Sequence, residues 1–249
     1  MEAYSGFASV YDRLMRDVDY DKWAAYIASF LPKNCSVLEC ACGTGAISVR
    51  LKRMGFNITA SDISLEMLQT AAENARRSGQ KLQFLSMDMR HIEFHKRVDA
   101  IVCSCDGVNY LTDESDLADF LSSANRALKT GGRLLFDVST LHKLKNVLGC
   151  STFASDEGSA AYIWENMFDG VSRLCRMRLT LFEKAADGLY KKSFEEHIQY
   201  GYTASELSES LLKFGFIPMG IYDAFTENTP DNNCERLQIV AEKVSEING

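Results

Sequence analysis

Two carboxylates and two glycines stand at spacings that suit the capture of a nucleotide-like ligand. Glu39 opens the run Glu39-Cys40-Ala41-Cys42-Gly43-Thr44-Gly45-Ala46. Gly43 and Gly45 lack a Cβ and tolerate positive φ, so the backbone there can come close to a ligand. Ala41, Gly43 and Ala46 fit the dinucleotide fingerprint G-x-G-x-x-G/A with its first glycine lost. The fuller fit is acidic-x-small-x-Gly-x-Gly, with the acid at Glu39. Asp62 follows Gly45 by 17 residues. A carboxylate near this distance, where a second strand ends, can accept both hydrogen bonds of a ribose diol. Further on, Asp106, Asn109 and Tyr110 cluster in Ser104-Cys105-Asp106-Gly107-Val108-Asn109-Tyr110-Leu111. These groups can hydrogen-bond a substrate or take a proton.

These residues need a scaffold, and the apolar pattern supplies one. Val37-Leu38 reads as a buried strand, and Ala46 to Met54, with Ile47, Leu51 and Met54 apolar, as a helix. Phe56 to Ser61 is a second strand ending at Asp62. Ser64 suits the N-cap of a helix through Leu65, Leu68, Ala71, Ala72 and Ala75, closed by Gly79. Leu82 to Ser86 is a third strand. Val98 to Cys103 is nearly all apolar, as a central parallel strand buried on both faces should be. Thr112 caps a helix reaching Leu128, and Gly131-Gly132 turns into a strand over 134–138. Two Asp-Gly pairs, Asp169-Gly170 and Asp187-Gly188, separate β-rich runs. They predict a three-stranded antiparallel meander over 160–168, 171–185 and 190–202. On its last strand Glu195, His197 and Gln199 share one face, which either closes over a substrate or meets solvent. Thr203 and Glu206 have capping-box spacing, and strands over 216–225 and 235–243 end the chain. Two helices precede all this, one on Phe7, Val10, Tyr11 and Leu14, the next from Asp19 to Pro32.

The Glu39 to Gly45 run resembles motif I of the class I S-adenosylmethionine (SAM) dependent methyltransferases. Asp62, Met87-Asp88-Met89-Arg90 and the final strand pair extend the resemblance over residues 34–140 and 203–243. The fold it implies is α/β: a seven-stranded, mostly parallel, doubly wound sheet with a C-terminal antiparallel strand pair, plus a small antiparallel β-meander inserted after the fifth strand. Three parts are expected: a helical lid over 1–33, a SAM-binding core over 34–148 and 203–249, and an inserted β subdomain over 149–202 on the substrate side. Small bacterial members with a similar Tyr11-Asp12 cover the pocket with their first helix, which makes Tyr4 and Tyr11 lid candidates. The resemblance implies that Glu39, Ala41, Gly43 and Gly45 wrap the amino acid part of SAM and that Asp62 binds the ribose. It implies Ile63 and Met67 beside the adenine, with Asp88 and Met89 on its edge. It places Cys105 and Asn109 by the methyl end. Asp106, Tyr110 and His197 are the candidates for handling a proton at the acceptor.

Composition narrows the partners. The chain has 249 residues and a net charge of −7, with only short basic clusters. Phosphate-binding proteins usually carry a basic patch, so nucleic acid is not the expected partner. No apolar run approaches the ~18 residues of a membrane span, and no leader pattern opens the chain. The eight cysteines then read as free thiols of a cytoplasmic protein. The pairs Cys40/Cys42 and Cys103/Cys105 are C-x-C, not the C-x-x-C of common zinc sites, and no metal is expected. The Asn-Pro-Pro-Tyr and Pro-Cys motifs of nucleobase methyltransferases are absent. The expectation is methyl transfer from SAM to an N or O atom of a small-molecule acceptor, leaving S-adenosylhomocysteine (SAH), by a monomer or homodimer. The alternatives are an RNA or protein acceptor, a SAM sensor without turnover, and an NAD-dependent oxidoreductase.

Overall fold

The computed structural model describes residue 15 and residues 17–247, apart from 95, 157, 159 and 186. Tyr4, Tyr11 and the helix expected on Phe7 to Leu14 lie outside the described residues.

The short β-rich runs pair as strands, in chain order β1 (Ser36–Cys40), β2 (Asn57–Asp62), β3 (Gln83–Ser86), β4 (Val98–Cys103), β5 (Leu128–Ser139), β6 (Thr152–Asp156), β7 (Ala160–Asp169), β8 (Leu174–Lys184), β9 (Tyr190–Tyr200), β10 (Phe216–Asp223) and β11 (Arg236–Lys243). Seven of them form one sheet in the order β10-β11-β5-β4-β1-β2-β3, and β6 to β9 form a second. In the large sheet β11 alone runs against its neighbours β5 and β10. The helices are α1 (Tyr20–Ser29), α2 (Ala46–Arg53), α3 (Leu65–Arg77), α4 (Glu114–Ala127) and α5 (Ala204–Lys213).

The apolar run of β4 follows from its position between β1 and β5. Ile101 and Cys103 face one core with Phe120 of α4, Phe136 of β5 and Leu207 of α5. Ala100 and Val102 face the opposite core with Trp23 and Ile27 of α1 and Ile47 and Leu51 of α2. Both faces are covered, so no polar alternation is possible. No described helix is long and apolar enough to cross a membrane.

The structure departs from the sequence reading in three places. The inserted sheet has four strands, because β6 pairs antiparallel with β7. Thr152-Phe153-Ala154-Ser155-Asp156 has one large apolar side chain, and an edge strand needs no more. The cap of α4 is Asp113, whose carboxylate accepts from Ser115 N–H, not Thr112. Finally, β5 begins at Leu128, opposite Val98, and its regular pairing resumes with Arg133 opposite Ala100. Gly131 at φ 77 lies in the bulge between them.

The inserted sheet has a buried side. Gln199, His197 and Glu195 stand opposite Cys175, Met177 and Leu179. Cys175 and Met177 pack on Leu144 and Leu148 of a π-helical turn over Lys143–Leu148. Glu195, His197 and Gln199 are buried with them. Of the two readings of this face, solvent is ruled out.

Candidate active site

The C-terminal ends of β1, β2 and β4 open on a cavity of about 790 Å³. Its wall includes Glu39, Ala41, Gly43, Asp62, Ile63, Met67, Asp88, Met89, Cys105 and Tyr110. Gly45, Asp106, Asn109 and His197 do not line it, and each has another place in the fold.

The loop between β1 and α2 is held by β2. Cys42 N–H donates to Ser61 O at 2.9 Å. Gly43 N–H donates to Asp62 Oδ2 at 2.8 Å, and Ser64 N–H to Asp62 Oδ1 at 2.9 Å. One carboxylate therefore ties the glycine loop to the start of α3. A Cβ added to Gly43 would meet no protein atom within 4 Å, so the backbone here borders open space. Gly45 differs: at φ 76 it caps α2, and an added Cβ would press on the Ala71 Cβ at 3.1 Å. Its glycine serves helix packing. Ala41 holds φ 50 with a side chain, a strained conformation that the consensus glycine would relieve.

Glu39, the next-to-last residue of β1, is almost fully buried and accepts a short hydrogen bond from Ser48 Oγ. Burial pushes its carboxyl up to about 7. Burial also raises Asp62, against the backbone N–H groups of Ser64 and Gly43 that favour its ionised form. Asp88 behaves oppositely. Its hydrogen bonds with the Arg90 guanidinium hold it below the usual carboxylate range. Arg90 also reaches Asp116 of α4 at 2.7 Å, and both residues border the cavity.

The loop after β4 carries the remaining candidates. Asn109 is fully buried. Its Nδ2 donates to Ser139 O and Tyr200 O at 2.9 Å each, and its Oδ1 accepts from Ser139 N–H at 2.9 Å. It staples β5 to the end of the inserted sheet. The Asp106 carboxylate takes Ser139 Oγ at 2.8 Å and Arg236 Nη2 at 2.8 Å. The Tyr110 hydroxyl lies 3.2 Å from His197 Nδ1. That contact joins the cavity wall to the inserted sheet.

Known proteins share this architecture. A methyltransferase domain family matches residues 37–132. YqeM of Bacillus subtilis, a methyltransferase by name with no acceptor in the name, is 38% identical over 98% of both chains. The crystal structure of a SAM-dependent methyltransferase from Clostridium acetobutylicum matches with a TM-score of 0.87 and 30% identity, covering 97% of this chain and 99% of that one. The chain belongs to the class I SAM-dependent methyltransferases. A glycine/sarcosine N-methyltransferase of Halorhodospira halochloris is 33% identical over 144 residues, 55% of this chain and 53% of its own.

Sequence reasoning missed several residues around this methyltransferase's cavity. Tyr20, at the start of α1, lines the mouth, where the Arg50 guanidinium lies over its ring at 5.5 Å. Arg90 and Asp116 were also missed, as was the partly buried Arg236. Tyr20 and Arg236 reach their places through packing distant in sequence. The Asp-x-Arg spacing of Asp88 and Arg90 was the one local signal available.

His197 gives a stability prediction with a definite sign. Burial lowers its imidazole from 6.5 to about 4, so the unfolded chain takes up the proton first. Stability should fall as pH drops below the unfolded value and level off below about 4. Between those two values the loss reaches about 3 kcal/mol. Urea titrations at pH 7 and pH 4.5 should show a smaller acid loss for His197→Gln than for the wild type. Equal losses would mean that His197 is solvated or charged.

Proposed function

We propose that this methyltransferase moves the SAM methyl group to a nitrogen or oxygen of a small-molecule acceptor and releases SAH. The observation that carries the reading is the Tyr110–His197 contact, where the hydroxyl of a cavity-lining tyrosine meets a buried, uncharged imidazole. Methyl transfer is an in-line displacement with a neutral leaving group. The protein's part is to hold nucleophile and methyl aligned and dry. A base matters where the nucleophile keeps its proton at neutral pH. In this reading Tyr110 takes the proton of an acceptor N–H or O–H and passes its own to His197 Nδ1. Asp106 is not the proposed base, since Arg236 and Ser139 already engage both of its oxygens. The inserted sheet, which carries His197, would close the acceptor side.

The residues present fit SAM. Asp62 has lone pairs left for the ribose diol. Gly43 borders open space where a ligand chain can lie. Ile63 and Leu65 are exposed beside the cavity, 66% and 63% accessible, and offer an apolar face to an adenine. Asp88 and Met89 N–H, also on the cavity wall, would meet the adenine edge, and Cys105 the methyl end. Glu39, buried on the cavity wall, would take the ammonium group. A cationic partner there favours the ionised carboxylate, so binding should expel its proton. SAH affinity should therefore rise with pH, up to ~10-fold per pH unit below the Glu39 pKa, and level off above it. Calorimetry across pH 6 to 8 checks this, and Glu39→Gln should remove the slope. A flat wild-type profile would take the ammonium away from Glu39.

The acidic net charge and the partial likeness to an enzyme named for glycine and sarcosine support a small acceptor. The test is SAH release from SAM over a panel of small amines and hydroxy compounds, with bulk RNA and protein alongside. Release with small amines or hydroxy compounds is the expected result. Release with RNA or protein alone would overturn the acceptor class, and SAM binding without release on any acceptor would favour a sensor.

A further inference from the structure

After β4 the backbone passes through two consecutive left-handed residues, Cys105 at φ 59 and Asp106 at φ 65. Neither is glycine, so the surroundings must hold this turn. Asp137, two residues before the end of β5 and 1% exposed, does so with one carboxylate. It accepts from Cys105 N–H at 2.8 Å and from Asp106 N–H at 3.2 Å. The turn then brings the partly buried Asp106 carboxylate toward the buried Asp137 carboxylate, and the two negative charges repel each other. Arg236 of β11 lies between them. Its Nη1 is 2.7 Å from Asp106 Oδ1, its Nη2 is 2.8 Å from Asp106 Oδ2, and Nη1 also binds Asp137. The Trp23 ring of α1 caps the guanidinium at 5.0 Å. The field of Lys143 also reaches Asp106, and that of Glu39 reaches Cys105.

We propose that Arg236 is a positioning residue for methyl transfer: by neutralising Asp106 and Asp137 together it keeps the Cys105-Asp106 turn, and with it the cavity wall, in the binding shape. Without Arg236 one of the two carboxylates must take a proton, and a protonated Asp137 accepts the two N–H groups poorly. The turn then relaxes and the Cys105 side chain leaves its place. Through Trp23 the same cation ties α1 to this wall. The relevance to catalysis rests on the cavity being the SAM site, but the state of the turn can be read without SAM.

The experiment is site-resolved alkylation by iodoacetamide, followed by peptide mass spectrometry. Exposed Cys150 serves as the reference and buried Cys175 as the marker of overall folding. In Arg236→Met, labelling of Cys105 should rise about tenfold or more while Cys175 stays protected. Adding Asp106→Asn removes one of the opposed charges and should return Cys105 to within about threefold of wild type. Packing alone would not give that rescue, because a second lesion would only add damage. Cys105 labelling at the wild-type rate in Arg236→Met, or as fast in the double variant as in the single, overturns the proposal. If Cys175 also opens in Arg236→Met, Arg236→Lys decides. It keeps the charge, so Cys105 should stay within about threefold of wild type, and fast labelling with Cys175 protected overturns the proposal. SAH affinity measured in parallel should fall about tenfold in Arg236→Met. A wild-type protein that fails to bind SAH would count against the cofactor reading and leave the labelling to decide the turn.

Discussion

Replacing Asp62 with alanine should weaken SAM and SAH binding by about 10²- to 10³-fold. Each oxygen of this carboxylate already accepts one backbone N–H, from Gly43 at 2.8 Å and from Ser64 at 2.9 Å. A carboxylate has about four lone-pair sites, so two remain for the ribose hydroxyls of the proposed cofactor. Hydrogen bonds to a charged acceptor contribute about 1.5–3 kcal/mol each. Losing the ribose pair and letting the glycine loop drift supplies the stated factor. Asp62→Asn discriminates further. Its amide has one acceptor oxygen, so an NH₂ group must face either the Gly43 or the Ser64 N–H. The asparagine variant should therefore lose about 10-fold or more in affinity despite its matching shape. Calorimetry with SAH measures both, and unfolding without ligand reports how much of the loss is loop stability. An alanine variant that binds SAH within about threefold of wild type would remove Asp62 from the ribose.

What could be read from the sequence follows from how local each signal is. Asp62 was legible because a strand, its terminal carboxylate and the Ser64 cap are contiguous. The order of the large sheet was legible through the resemblance and the final strand pair. The face of Glu195, His197 and Gln199 was legible as a face, because a strand alternates. Whether that face met solvent or protein was not, since Leu144 and Leu148 reach it through a π-helical turn with no sequence signature. Asn109 could be identified as a polar residue in a loop of interest. Its fate as a buried staple depends on Ser139 and Tyr200, 30 and 91 residues away. Arg236 left no mark at all. It is one arginine opening a strand, and only the pairing of β11 with β5 places it between Asp106 and Asp137. Edge strand β6 was missed for the opposite reason: it needs so little burial that its composition is that of a loop.

Tyr110→Phe and His197→Gln should each lower kcat by roughly 10²-fold or more on any acceptor that reacts through a protonated N–H or O–H. In the proposed path Tyr110 touches the acceptor and His197 acts behind it. Removing the hydroxyl breaks the path at its first link, and removing the imidazole strands the phenol without a base. The two losses should not add, because either change disables the same path, so the double variant should resemble the worse single one. SAH affinity should move by less than about threefold in all three, since neither residue is placed on the nucleoside side. The pH profile gives a further check. Burial holds His197 near 4, so it is neutral throughout the physiological range, and no acid limb of the rate near 6.5 should come from it. A limb near 6.5 that vanishes in His197→Gln would show that the imidazole is far better solvated than its place on the buried face of the inserted sheet allows. Full activity in both single variants would mean that the acceptor arrives already deprotonated. The protein's contribution would then reduce to alignment and exclusion of water, with Tyr110 a wall and not a relay.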